Sequence, residues 1–314
     1  MIQYLYLGRV DYGEALRLQE ELVTLRTEER IGNVLLLLEH PPVLTLGRNA
    51  RRTNILASDE LLAARGVTLH EINRGGDVTY HGPGQLVGYP IFDLRSLHNA
   101  RGARLGPVDF VRLMEEALIG LCGEFGVAAG RIGGLTGVWI GIPPGAAHGS
   151  PLEKSCGRTS KDAPTGERKI AAIGIHVARG VTSHGFAFNV TTDLRDFTLI
   201  NPCGITDRPV TSLALEVPDA AALPTLEALA HRAARQFGAV FGEPVEKLEG
   251  LAALRAQAQA APTVAPEAPA SGPADLEPPA QEIPAFEFPA NDTPLQVPRA
   301  IERLRRTKDR SIPA

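Results

Sequence analysis

An α+β fold, with a mixed β-sheet flanked by helices, is what this 314-residue sequence predicts. Apolar residues make up 44% of the chain and charged ones 22%, enough for a sizeable core. Helical periodicity recurs at a few separated places, and between them several strand candidates follow one another directly. A doubly wound parallel sheet alternates helix with strand, so that architecture is disfavoured.

Taken in order, residues 13–30 place Ala15, Leu18, Leu22 and Leu25 at helical spacing, with Glu and Arg on the other face. Val34 to Glu39 is β-like and is stopped by Pro41-Pro42. Ser58 is the expected N-cap of a short helix running to Arg65 and closed by Gly66, and Val67 to Ile72 is a strand candidate. After Pro107, the residues Val111, Met114, Leu118, Leu121 and Phe125 predict a second amphipathic helix. Trp139-Ile140, Ile170 to Val177 and Phe186 to Val190 read as strands between glycine-rich turns. Leu226, Leu229, Ala233, Phe237 and Val240 predict a third helix.

The expected organisation is one domain over 1–248 and an Ala/Pro-rich disordered tail over 249–314, too poor in aromatic and β-branched residues to offset its ordering entropy. The tail ends in a short basic stretch at 298–310. Within the domain, 143–168 is polar, Gly/Pro-rich and aperiodic, which predicts a mobile loop between two strands.

A net charge of −4 argues against a protein held to nucleic acid or acidic lipid by bulk charge. No uncharged apolar run approaches the roughly 18 residues needed to span a bilayer. The N-terminus shows no basic stretch ahead of an apolar one, so no secretory leader is expected. Three cysteines, without the paired spacing of a zinc site, suit a reducing cytoplasm and no metal.

The densest chemical signal is Arg74-Gly75-Gly76-Asp77-Val78-Thr79-Tyr80-His81, continuing through Gly82 to Gln85. Glycines let a backbone approach a ligand closely, Arg74 can bind a phosphate or carboxylate, and His81 can titrate near neutrality. Neither a Walker loop nor a dinucleotide fingerprint fits the spacing. Cys203 sits between Pro202 and Gly204, a turn that can present a thiol, whereas Cys122 lies in the second helix as a core residue and Cys156 in the polar loop. Lys169 leads into an apolar strand, where it either snorkels at the edge or stands beside a thiol and favours the thiolate. His184 to Asn189 is either a core strand with a capping histidine or the wall of an apolar pocket.

Together RGGDVTYHGPGQLVGYP (74–90), KIAAIG (169–174), GVTSHGFAFNV (180–190), NPCGI (201–205) and VTSL (210–213) resemble the octanoyltransferase family of lipoate biosynthesis, over roughly residues 5–245. The resemblance implies the fold of the biotin and lipoate protein ligase catalytic domain. It implies transfer of an octanoyl group from octanoyl-acyl carrier protein to a lysine of lipoyl domains, those of 2-oxoacid dehydrogenase complexes and the glycine cleavage H protein. Cys203 would form the acyl-thioester, and Lys169 would lower its pKa and act as base. Arg74, Gly75, Gly76, Asp77, Val78, Thr79, Tyr80 and His81 would line the substrate site with Ala172, Ile173, Gly174, Gly185, Phe186 and Ala187. A monomer without cofactor is implied. The loop 143–168 is longer than the family pattern, and the tail is extra.

The main competing reading is an ATP-dependent lipoate or biotin ligase of the same fold, which needs no nucleophilic thiol. A non-catalytic carrier- or lipoyl-domain-binding protein and a cysteine hydrolase using His81 or His184 are further alternatives.

Overall fold

The apolar run at 33–39 becomes the strand around which the sheet is ordered. In the computed structural model, which describes residues 1–98, 102–142, 166–201 and 208–261, β1 (Ile2–Arg9), α1 (Tyr12–Thr27) and β2 (Asn33–Glu39) form a parallel strand–helix–strand unit. Asp11 starts α1 by accepting from the Gly13 and Glu14 amides. Next, β3 (Val43–Leu46), α2 (Asp59–Ala64), β4 (Thr68–Glu71) and β5 (Val78–His81) build a small sheet of order β4-β3-β5 with its own helix. Ser58 caps α2 as expected, its Oγ accepting from the Leu61 amide.

The chain then returns to the large sheet with β6 (Gln85–Ile91), α3 (Pro107–Gly123), β7 (Ala129–Ile132), β8 (Leu135–Ile140), β9 (Arg168–Ala178) and β10 (Val181–Asn189). A short α4 (Leu213–Glu216), α5 (Leu226–Phe241) and β11 (Val245–Lys247) follow. The eight strands take the order β11-β1-β2-β6-β10-β9-β8-β7. β11 and β2 run parallel to β1, and every pairing from β2 out to β7 is antiparallel. This is the mixed sheet the sequence predicts. The glycine-rich stretch after β4 is more than a loop, because β5 and β6 flank its turn.

Both faces of the sheet are covered, which is why β2 reads as an unbroken apolar run. Leu35 and Leu37 enter the core beneath α3 and α5, and Val34, Leu36 and Leu38 enter the one beneath α1. A third, smaller cluster of Leu44, Leu62, Val78, Tyr80 and Leu199 fills the space under the small sheet. Cys122 lies buried in α3 as expected, with its thiol pushed up to about 12 by burial.

One expectation is corrected. The tail, expected to be unstructured from 249, begins with a helix, α6 (Leu251–Ala260). Leu254 and Ala258 are buried against the α1 face, and the Arg255 guanidinium grips the Glu21 carboxylate at 2.7 Å and 2.8 Å. LAALRAQAQA has high helix propensity, and two residues four apart suffice when another helix supplies the rest of the surface. Averaging over the long Ala/Pro-rich segment hides this. Residues 143–165 of the expected loop and 262–314 of the expected tail lie outside the described residues. Among the described residues no helix is long and apolar enough to cross a membrane.

Candidate active site

β9 and β10 bring two separately expected stretches into register. Ala172 pairs with Ala187, Ile173 with Phe186 and Gly174 with Gly185, so 172–174 and 185–187 form one wall. The Arg74–Asp77 turn is pinned across the same strands by the Gly75 amide, which donates to Ile175 O at 2.9 Å. Glycine is required at two of these positions. A Cβ on Gly174 would stand 2.8 Å from Gly75 O, and one on Gly185 would stand 2.1 Å from Gly88 O.

These elements enclose a cavity of about 600 Å³, within the range of small-molecule sites. Arg74, Gly75, Gly76, Asp77, Val78, Thr79 and His81 line it, as do Lys169 and all six residues of the β9–β10 wall. Tyr80 does not. It points to the other side of β5, buried in the small cluster, with its hydroxyl donating to Asp196 Oδ2 at 2.7 Å. Alternation along a strand puts Tyr80 opposite Thr79 and His81. Cys203 and Cys156 lie outside the described residues.

Two of these cavity-lining groups also hold the turn in place. Arg74, buried, donates to Thr45 O at 2.8 Å, to Thr45 Oγ1 at 2.9 Å and to Gly75 O at 3.0 Å, tying the turn to β3. The Asp77 carboxylate accepts from the Val78 amide at 2.7 Å and from Asn54 Nδ2 at 2.5 Å.

His81 Nδ1 meets Gln85 Oε1 at 2.8 Å. Gln85 Nε2 is used as a donor to Asn189 Oδ1 at 2.9 Å, so its oxygen must accept and His81 Nδ1 must carry the proton. That leaves His81 Nε2 as a lone-pair acceptor. Burial, reinforced by nearby His40 and Arg74, pushes His81 down to about 3, and burial with Arg74 pushes His184 down to about 4. His184, at a left-handed φ of 56°, is held by its Nε2 proton on Asn73 Oδ1 and by its amide on Gln19 Oε1. The imidazoles facing the cavity are therefore neutral at physiological pH.

Tyr12 and Tyr89, from α1 and β6, complete this polar end. The Tyr89 hydroxyl donates to His40 Nε2 at 2.7 Å, because His40 Nδ1 is spent on Val10 O. Burial pushes Tyr12 up to about 12 and holds Tyr89 well above the usual phenol range, so both phenols stay protonated. No periodicity marks these two tyrosines as site residues; the pairing of β2 with β6 and the start of α1 bring them in.

At the other end Lys169 Nζ lies 4.6 Å from the centre of the Trp139 ring, with the Arg208 guanidinium 5.7 Å from the same ring. Val111, Leu135, Phe197 and Val210 add apolar wall, and Phe186 is backed by a stacked Phe237 at 5.5 Å. Trp139 was legible as a strand residue, not as the platform for a lysine. The Lys169 backbone is bonded on both sides to the segment that follows the undescribed 202–207: its amide donates to Pro209 O, and its carbonyl accepts from the Thr211 amide, each at 2.9 Å. Before that gap, the Asn201 amide donates to Asn54 O at 2.7 Å. A fixed ammonium in a mostly apolar cavity of this kind can stabilise an anionic nucleophile and then exchange its proton.

Residues 11–238 match the family described as the lipoyl protein ligase A/B catalytic domain. The octanoyltransferase of Acidobacterium capsulatum is 59% identical over 250 residues, spanning 79% of this chain and 94% of that one. That of Koribacter versatilis is 51% identical over 267 residues, spanning 85% and 95%. Among solved structures, the bi-partite lipoate protein ligase of Thermoplasma acidophilum superposes with a TM-score of 0.52 at 16% identity, covering 82% of this chain and 90% of that one, a likeness of fold alone. By sequence and by fold, the chain belongs to the octanoyltransferase family, built on the catalytic domain of the lipoyl protein ligases.

Proposed function

We propose that this cytoplasmic acyltransferase moves an octanoyl group from octanoyl-acyl carrier protein to the lysine of lipoyl domains by way of a thioester on Cys203. The acceptors are the lipoyl domains of 2-oxoacid dehydrogenase complexes and the glycine cleavage H protein. The observation that carries the reading is the Lys169 backbone bonded to Pro209 and Thr211, a few residues after NPCGI in the sequence, with its ammonium held at the cavity wall.

In the first half-reaction the Cys203 thiolate, favoured by the Lys169 ammonium, adds to the thioester carbonyl; the carrier's C–S bond breaks and its thiolate takes the Lys169 proton, leaving a neutral amine. In the second, the neutral acceptor amine adds to the enzyme thioester, the C–S bond to Cys203 breaks, and an amide forms. Lys169, left neutral by the first half-reaction, accepts and keeps the proton the amine loses, so the released Cys203 thiolate again faces an ammonium, the starting state. Thioester exchange is nearly balanced and amide formation runs downhill, so ATP is not needed. With the imidazoles and phenols neutral, the positive charges lining the cavity come from Arg74, Lys169 and Arg208, which suits the thiolate and the developing oxyanion. The apolar walls take the alkyl chain, each CH₂ being worth about 0.8 kcal/mol, so neighbouring chain lengths should differ by about fourfold.

Intact-protein mass spectrometry after mixing with octanoyl-carrier protein, without ATP or acceptor, tests this. The expected result is one octanoyl adduct, absent in Cys203→Ser and discharged by a lipoyl domain. Transfer that appears only with ATP, and without an adduct, would make the protein a ligase with an incidental cysteine.

A further inference from the structure

Resting on the reaction just proposed, we infer that the segment from Gly47 to Leu56 is the docking edge for the acyl donor, an acidic carrier whose thioester hangs on a phosphate-linked arm. The segment is fastened to both halves of the site. On one side the amides of Gly47, Arg48 and Asn49 donate to Asp77 O, Arg74 O and Gly76 O at 3.2, 3.0 and 3.1 Å. On the other the Leu56 amide donates to Leu199 O at 2.8 Å, Ile55 bridges Ile200, and Asn54 O takes the Asn201 amide. A partner resting here would sit at once against the cavity-lining turn and against the residues leading into NPCGI.

The chemistry of the segment selects the partner. Residues 47–54 (GRNARRTN) contain three arginines and no acid, on a chain of net charge −4. Arg48, Arg51 and Arg52 are all exposed. Arg52 pairs with Asp59 at 3.2 Å, while Asp77 accepts from the Arg51 backbone amide at 3.4 Å as well as from the Val78 amide and Asn54. Leu56, at the end of the segment, is 64% exposed and Leu61, in the α2 that follows, 42%, among the few large apolar side chains of the described residues that face solvent. Arginines around an apolar spot suit an acidic protein surface, and Arg fits a phosphodiester in particular. The two substrates differ in the charge they bring to the cavity: the donor arm carries an anion, the acceptor carries a lysine. A rim of arginines favours the first and repels the second.

The test uses Arg48→Glu/Arg51→Glu in the full chain, following acylation of Cys203 by mass. Octanoyl-carrier protein and octanoyl-N-acetylcysteamine, which has neither protein nor phosphate, serve as donors. The expected result is a fall of about tenfold or more in kcat/KM for the carrier, with the small thioester and discharge to a lipoyl domain unchanged. Raising ionic strength should slow the wild-type carrier reaction and leave the variant's flat. Unchanged carrier kinetics, an equal loss with both donors, or a loss confined to discharge would overturn the assignment. Failure of the wild-type protein to form any adduct would instead count against the thioester mechanism.

Discussion

Lys169 rests on the ring of Trp139, a partner that attracts an ammonium without taking its proton. In the proposed mechanism Lys169 stabilises a thiolate and exchanges a proton, and the ring face positions its ammonium without competing for that proton. Trp139→Leu keeps an apolar side chain but removes the ring face, so octanoyl transfer should slow by roughly 2- to 30-fold, the rate equivalent of about 0.5–2 kcal/mol. Steady-state kinetics with a matched thermal melt would check this, and an unaltered rate would take the ring out of the mechanism. Lys169→Ala should abolish transfer in a folded protein; a near-wild-type rate would remove the lysine from it.

At the level of elements, two devices hold the site from behind. Glu115, on α3 and fully buried, accepts from Arg112 at 2.6 Å, Arg131 at 3.1 Å and the Gly137 amide at 3.0 Å, so one carboxylate locks α3 to β7 and to the strand that carries Trp139. Removing its charge leaves the buried Gly137 amide and two partly exposed guanidiniums facing a neutral amide, and Glu115→Gln should cost about 1–3 kcal/mol in a urea melt. The second device is α6. Leu254 is fully buried against the α1 face, so Leu254→Ala should cost about 2–4 kcal/mol, and ending the chain after Gly250 should cost at least as much. A truncated protein with an unchanged urea midpoint would mean that α6 does not dock in solution.

For the whole molecule, three buried histidines set the response to acid. His40, His81 and His184 are pushed from the usual 6.5 down to about 4, about 3 and about 4, in each case chiefly by burial. Above pH 6.5 these rings are neutral both folded and unfolded, and their effect on stability is constant. Below it the unfolded chain binds protons that the folded one refuses, so stability falls as pH drops from 6.5 toward 4, by up to about 1.4 kcal/mol per unit for each ring. Urea midpoints between pH 7 and pH 5 should decline steadily, with His81 and His184 resonances still neutral at pH 5. A flat profile would show that these rings are not desolvated.

Local pattern determined much of this protein. The three long helices, the strands at 34–39, 170–177 and 186–190, the fold class and the family were legible because apolar periodicity and motif order are properties of neighbouring residues. So were the Arg74 turn and the 172–174 and 185–187 stretches as cavity residues. Tertiary structure decided the rest. Strand register turned Tyr80 away from the cavity, and sheet order brought Tyr12, Tyr89 and Trp139 to it from elements far apart in sequence. It also gave α6 a surface to bury against, which composition alone could not supply. The physical reason is common to all of these: a side chain's face is set by its own strand or helix, but what it faces is set by hydrogen-bond pairings between distant segments, which leave no period in the sequence.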